Sequence, residues 1–132
     1  MSKIYLDACI VIYFVEKHAD YAAAIEARID GLSETDTLCF SPLIKMECLV
    51  MPLRTGDAAL QGRFEAFLKS QKMLDLTAGR FDEAARIRAD FSSLKTPDAL
   101  HLAVAMHHKC DEFWTNDNRL GAVAPSLVKN IL

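Results

Sequence analysis

Four acidic residues in this chain stand where an isolated carboxylate is poorly accommodated: Asp7, Glu47, Asp98 and Asp117. Asp7 closes the short β-favouring run Ile4-Tyr5-Leu6. Glu47 has Leu43, Ile44, Val50 and Met51 three and four residues away, so on a helix it projects from an apolar face. Asp98 follows Thr96-Pro97, a capping residue and a proline suited to a helix start, and falls in the first turn of an otherwise apolar segment running to Ala105. Asp117 sits between the turn-formers Asn116 and Asn118, just after Glu112-Phe113-Trp114. Singly, each has an ordinary explanation. Asp98 complements a helix dipole, an effect of about 0.3–1 kcal/mol, and Glu47 forms an ion pair with Lys45, Arg54 or Lys95. Together they point to a hard-oxygen site for Mg²⁺ or Mn²⁺, because several carboxylates share one pocket only when a positive charge compensates them.

The elements that must hold these acids alternate. Strands are expected at Ile4–Leu6, Thr37–Phe40, Lys72–Leu76, Glu112–Trp114 and Leu127–Val128. Between them come helices: Cys9–Val15 capped by Asp7; a helix from the cap Asp20 to Gly31; Leu43 to about Met51, launched by Ser41-Pro42 and ended or kinked by Pro52; a helix capped by Asp57 and ending near Ser70, with the stripe Leu60, Phe64, Phe67, Leu68; one from Thr77 to about Ser92; and one from Pro97 to about His108. This alternation predicts an α/β fold with a parallel sheet and right-handed crossovers. Ligands of such a sheet bind beyond the carboxyl ends of its strands, where strand order reverses. Asp7 and Asp117 both follow strands and so lie on that edge, as does the start of the Ser41-Pro42 helix. The place of Asp98 is less determined, because its helix follows another helix.

Composition sets limits on the partners. A chain of 132 residues with 52% hydrophobic and 25% charged residues reads as a single globular domain over residues 1–132. A net charge of −3 argues against coating nucleic acid by bulk positive charge, but not against meeting a polyanion through bound metal and a few basic side chains such as Lys17, Lys45, Arg54, Lys95 and Arg119. Cys9, Cys39, Cys48 and Cys110 are scattered, with no zinc-site spacing, and read as reduced thiols of a cytoplasmic protein. The longest apolar run, Ala8 to Val15, is far short of the roughly 20 residues that span a bilayer, and Asp7 and Glu16-Lys17 break any likeness to a signal peptide. Around the acids, Thr115 and Asn116 could contact substrate or the waters of a metal ion. His101, at i+3 from Asp98, could hold that acid or simply pack.

The segments Ile4-Tyr5-Leu6-Asp7, Ser41-Pro42 with Met46-Glu47, Thr96-Pro97-Asp98-Ala99-Leu100-His101-Leu102-Ala103 and Trp114-Thr115-Asn116-Asp117 resemble, in order and spacing, the PIN-domain nucleases, and within them the VapC-type ribonuclease toxins of toxin–antitoxin pairs. The resemblance covers nearly the whole chain. It implies a three-layer α/β/α sandwich around a parallel sheet of four to five short strands, and Mg²⁺- or Mn²⁺-dependent cleavage of RNA. It further implies Asp7, Glu47, Asp98 and Asp117 as the metal-binding and catalytic set with Thr115 and Asn116 in support, a homodimer, and a cognate antitoxin lying over the acidic groove. Val50, Met51, Leu53, Phe64 and Phe67 could supply the docking surface. The sequence departs from the family after the first acid, where Ala8-Cys9 replaces the common Ser or Thr. Two alternatives remain at this level: a PIN-like RNA- or protein-binding module without catalysis, and a Mg²⁺-dependent phosphatase, which would want a second Asp at the position of Cys9. A phospho-receiver domain would need an acidic pair near the first strand and a late lysine, and neither is present.

Overall fold

The computed structural model describes residues Met1–Leu132. Its first strand, β1 (Lys3–Leu6), buries Ile4, Tyr5 and Leu6 in succession, the pattern of a parallel strand covered on both faces. Asp7 leaves the strand in extended conformation, and its carboxylate accepts the Ala8 N–H at 2.8 Å, starting α1 (Ala8–Val15) within a single turn. α2 (Ala22–Asp30) begins later than its apolar spacing suggests. Tyr21 occupies the cap position without a side-chain bond, while the Asp20 N–H is drawn to His18 Nδ1 at 3.1 Å.

β2 (Thr37–Phe40) leads through Ser41 into α3 (Pro42–Thr55). This helix runs through Pro52 rather than ending there. Pro52 removes only its own N–H, and the last turn is closed by the Thr55 hydroxyl on the Met51 carbonyl at 3.0 Å and by Gly56, whose φ of 70° suits glycine. α4 (Ala58–Lys69) starts as expected at Asp57, which accepts the Leu60 N–H at 3.0 Å. β3 is confined to Lys72–Met73, both exposed at a sheet edge, before Leu74 turns into the core. α5 (Ala78–Asp90) and α6 (Thr96–His107) follow. Lys95, not Thr96, is the cap of α6, because the Thr96 hydroxyl is engaged by Arg88 Nη1 at 3.0 Å; Asp98 remains in the first turn. β4 (Glu112–Thr115), the unanticipated α7 (Arg119–Val123) and β5 (Val128–Asn130) complete the chain.

The five strands are all parallel, in the order β3-β2-β1-β4-β5. Strand order therefore reverses between β1 and β4, the strands that precede Asp7 and Asp117. Right-handed crossovers put α1 to α4, which pack among themselves, on one face and the α5–α6 pair on the other. Tyr5 and Phe113 stack at 5.1 Å in the middle of one contiguous core, giving the expected three-layer α/β/α arrangement. No helix is long and apolar enough to cross a membrane.

Candidate active site

At the carboxyl edge, the chain bonds around the β1–β4 reversal fix two of the acids. The Asp7 N–H continues the ladder to the Trp114 carbonyl at 3.0 Å. One Asp7 oxygen takes the Ala8 N–H, and the other accepts the Thr115 hydroxyl at 2.7 Å. Thr115 is fully buried, and the same hydroxyl oxygen accepts the Asp117 N–H at 3.0 Å. One side chain at the end of β4 thus ties both acids together. The Asp117 carboxylate is gripped by Arg119 through Nη2 at 2.6 Å and Nε at 3.0 and 3.2 Å, and also accepts the Arg119 N–H at 2.9 Å. That guanidinium holds the Asp117 carboxyl below its ordinary range.

Asp7, Asn116, Asp117 and Arg119 line a cleft of about 460 Å³ with Cys9, Tyr13 and Asn118. Asp98 opens into a second cleft of about 300 Å³, which Arg119 also lines. Burial raises the pKa of Asp98, the charges of Asp7 and Asp117 raise it further, and the Arg119 guanidinium offsets part of the effect. Asp98 therefore stands close enough to both Asp7 and Asp117 to feel their charges. Cys9 is pushed up to about 11, by burial and then by Asp7, and stays a neutral thiol at pH 7. No three His, Cys, Asp or Glu side chains converge closely enough to grip an ion, and Thr115 and Arg119 engage Asp7 and Asp117. The donor chemistry nevertheless suits Mg²⁺ or Mn²⁺: carboxylate oxygens that repel one another, with the nearby thiol protonated and the nearby imidazole occupied.

Glu47 is placed differently. It borders a small cavity of about 160 Å³ with Ile12, Cys48, Val50 and Met51, outside both clefts. None of Lys45, Arg54 and Lys95 pairs with it; its partner is His101 Nε2 at 2.6 Å. His101 is only 2% exposed, and its Nδ1 lies 2.8 Å from the Tyr5 hydroxyl, which lies 2.8 Å from the Ser41 hydroxyl. One arrangement satisfies every group with a neutral imidazole: Ser41 donates to Tyr5, Tyr5 to Nδ1, and Nε2–H to the Glu47 carboxylate. Burial raises the Tyr5 pKa, so that phenol keeps its proton. His101 thus holds Glu47 and not Asp98. Tyr5, Ser41 and the grip of Arg119 on Asp117 were not anticipated; a tyrosine inside a buried strand, which must find a polar partner, was the available signal for the first.

The family model described as PIN domain matches residues 4–125, from the first strand to beyond Asp117. The chain belongs to the PIN domain family. Solved structures with the same fold include VapBC2 from Rickettsia felis bound to a promoter DNA fragment (16% identity, TM-score 0.82, covering 97% of this chain and 98% of that one). VapBC-1 from nontypeable Haemophilus influenzae is similar at 15% identity and a TM-score of 0.79, with 98% of each chain covered. VapC20 of Mycobacterium tuberculosis, described as a Sarcin-Ricin loop cleaving toxin, matches at 14% identity and a TM-score of 0.76, over 92% of this chain and 95% of that one. No curated protein matches the sequence. In this PIN domain the three aspartates surround the β1–β4 reversal, with Glu47 joined to them through α6.

Proposed function

We propose that this PIN domain is a Mg²⁺- or Mn²⁺-dependent endoribonuclease and the toxin of a toxin–antitoxin pair acting in the cytoplasm. The observation that carries the reading is the gathering of Asp7, Asp98 and Asp117 in two clefts that share Arg119, beside the strand-order reversal of a PIN-domain sheet. Asp7, Asp98 and Asp117 would hold the ion, with Glu47 reaching it from α3. When bound, the ion would acidify a water and neutralise charge developing on a phosphodiester. Thr115 and the Ala8 N–H fix the Asp7 carboxylate in one orientation, which limits reorganisation during the reaction. One of these acids would also accept a proton from the attacking water. Asn116 offers an amide to the substrate from the cleft wall.

An antitoxin and a second copy of the chain are the proposed protein partners. On α3, Met46, Val50, Met51 and Leu53 are all exposed, an apolar strip suited to docking. Phe64 does not belong to that strip, because it is buried in the core, and Phe67 packs partly against it.

The test is to incubate the purified protein with RNA and, separately, with a phosphatase substrate, each with Mg²⁺, Mn²⁺ or EDTA. Metal-dependent RNA cleavage without phosphatase activity is expected. RNA left intact in every metal condition would overturn the proposal. Calorimetric titration with Mn²⁺ checks the ligand set apart from activity. Asp7→Asn is expected to weaken binding, and Arg119→Met to tighten it by about three- to tenfold, because the ion no longer competes with a bidentate guanidinium for Asp117. Unchanged affinity in Arg119→Met would mean that Asp117 is not a ligand.

A further inference from the structure

Asp7 and Asp117 share their cleft with one aromatic ring, Tyr13, which does not belong to the acidic site. Tyr13 lies against His18 with ring centroids 4.8 Å apart and against Tyr21 at 4.9 Å, and His18 and Tyr21 stack on each other at 4.7 Å with planes 19° apart. The three rings brace one another across the turn from α1 to α2, so the Tyr13 ring is held before any ligand arrives. Tyr13 itself is half-buried. Its hydroxyl makes no hydrogen bond within the chain, and it is not among the buried unsatisfied polar atoms, so it reaches solvent. Tyr5, with a hydroxyl bonded on both sides, is the structural tyrosine of this fold; Tyr13 has the apolar body and free polar tip of a contact residue.

We propose that Tyr13, backed by His18 and Tyr21, is a stacking platform for an unpaired nucleobase next to the phosphate cleaved at the acidic site. This rests on the ribonuclease reading above. Charge makes such a platform necessary. With a net charge of −3 and a cleft whose one cationic side chain is already bound to Asp117, the cleft walls add little attraction for the phosphate backbone beyond that of a bound ion, and contact with the bases adds the affinity they lack. The cleft volume of about 460 Å³ is within the range of small-ligand sites. Asn118 completes the wall with its amide fixed: its Oδ1 accepts Asn130 Nδ2 at 2.7 Å, which leaves its own NH₂ free to donate to a base edge. A base inside a duplex has no open face for the ring, whereas every unpaired base does.

The test uses Tyr13→Leu, which keeps apolar packing against the core but has no π-face, and Tyr13→Phe, which keeps the face. Initial rates with Mn²⁺ are measured against concentration of a single-stranded RNA. Binding of the same RNA is followed by fluorescence anisotropy in the Asp98→Asn background, beside a strand of equal length with abasic sites. Tyr13→Leu is expected to raise KM and weaken RNA binding by about tenfold or more, with kcat changed by less than about threefold and binding of the abasic strand unaltered. Tyr13→Phe restores KM. If Tyr13→Leu, folded by circular dichroism, binds and cleaves RNA like the wild type, or weakens the abasic strand equally, the stacking platform is wrong while the nuclease reading stands. A wild-type protein that cleaves no RNA with Mn²⁺ overturns both.

Discussion

Asp98→Asn is expected to reduce metal-dependent RNA cleavage by at least about 100-fold while leaving the thermal stability of the metal-free protein equal to or above that of the wild type. The two effects have one cause. Burial raises the Asp98 pKa, and Asp7 and Asp117 add to it, so the folded state disfavours the ionised carboxylate relative to the unfolded chain. A carboxyl group raised in the folded state contributes its stability fully below the unfolded pKa and loses that contribution as pH rises through the folded value. At pH 7 the charge is therefore a structural liability, which the neutral, nearly isosteric amide removes. Melting curves from pH 3 to 7 check the sign: the metal-free wild type should lose stability relative to Asp98→Asn as pH rises through this window, and the difference should then level off. Adding Mn²⁺ should stabilise the wild type more than the variant, since an ion that binds only the folded state stabilises it by mass action. A variant that melts well below the wild type and gains as much from Mn²⁺ would make Asp98 a structural acid at a helix start.

The strands and the edge on which the aspartates gather were legible because they depend on local facts. Parallel strands buried on both faces read as short apolar runs, such as Leu38-Cys39-Phe40, and a residue that follows such a strand must stand at its carboxyl end. Features that depend on tertiary partners were not legible. The cap of α6 moved to Lys95, with the Thr96 hydroxyl taken by Arg88, and β3 shrank to Lys72–Met73, beyond which the Leu74 N–H makes one further bond to the Phe40 carbonyl at 2.7 Å before the chain leaves the sheet. α7 was missed because Arg119–Val123 is too short to show a helical stripe. Its first residue nevertheless determines how Asp117 is held. Most telling is Glu47. Its apolar face was plain in the sequence, but its partner lies 54 residues away and on the opposite helical layer, and meets it only because β4 pairs with β1 and brings α6 over the end of that strand.

That contact carries the second large effect. His101→Ala removes a buried ring together with its bonds to Tyr5 and Glu47, and leaves a cavity beside a phenol that is itself fully buried. Lost hydrogen bonds and the cavity together should destabilise the protein by about 2–4 kcal/mol, a fall in melting temperature on the order of 10 °C. Whether the relay serves the fold alone or also aims Glu47 at the site is separated by Glu47→Gln. A glutamine oxygen still accepts the His101 Nε2–H, so the relay persists and the melting temperature should stay within about 2 °C of the wild type. Cleavage should nonetheless fall by about tenfold or more, because an amide is a far weaker partner than a carboxylate for a hard cation. Full activity in Glu47→Gln would reduce Glu47 to the surface end of a structural chain running from Ser41 through Tyr5 and His101, and would leave the chemistry to the three aspartates around the β1–β4 reversal.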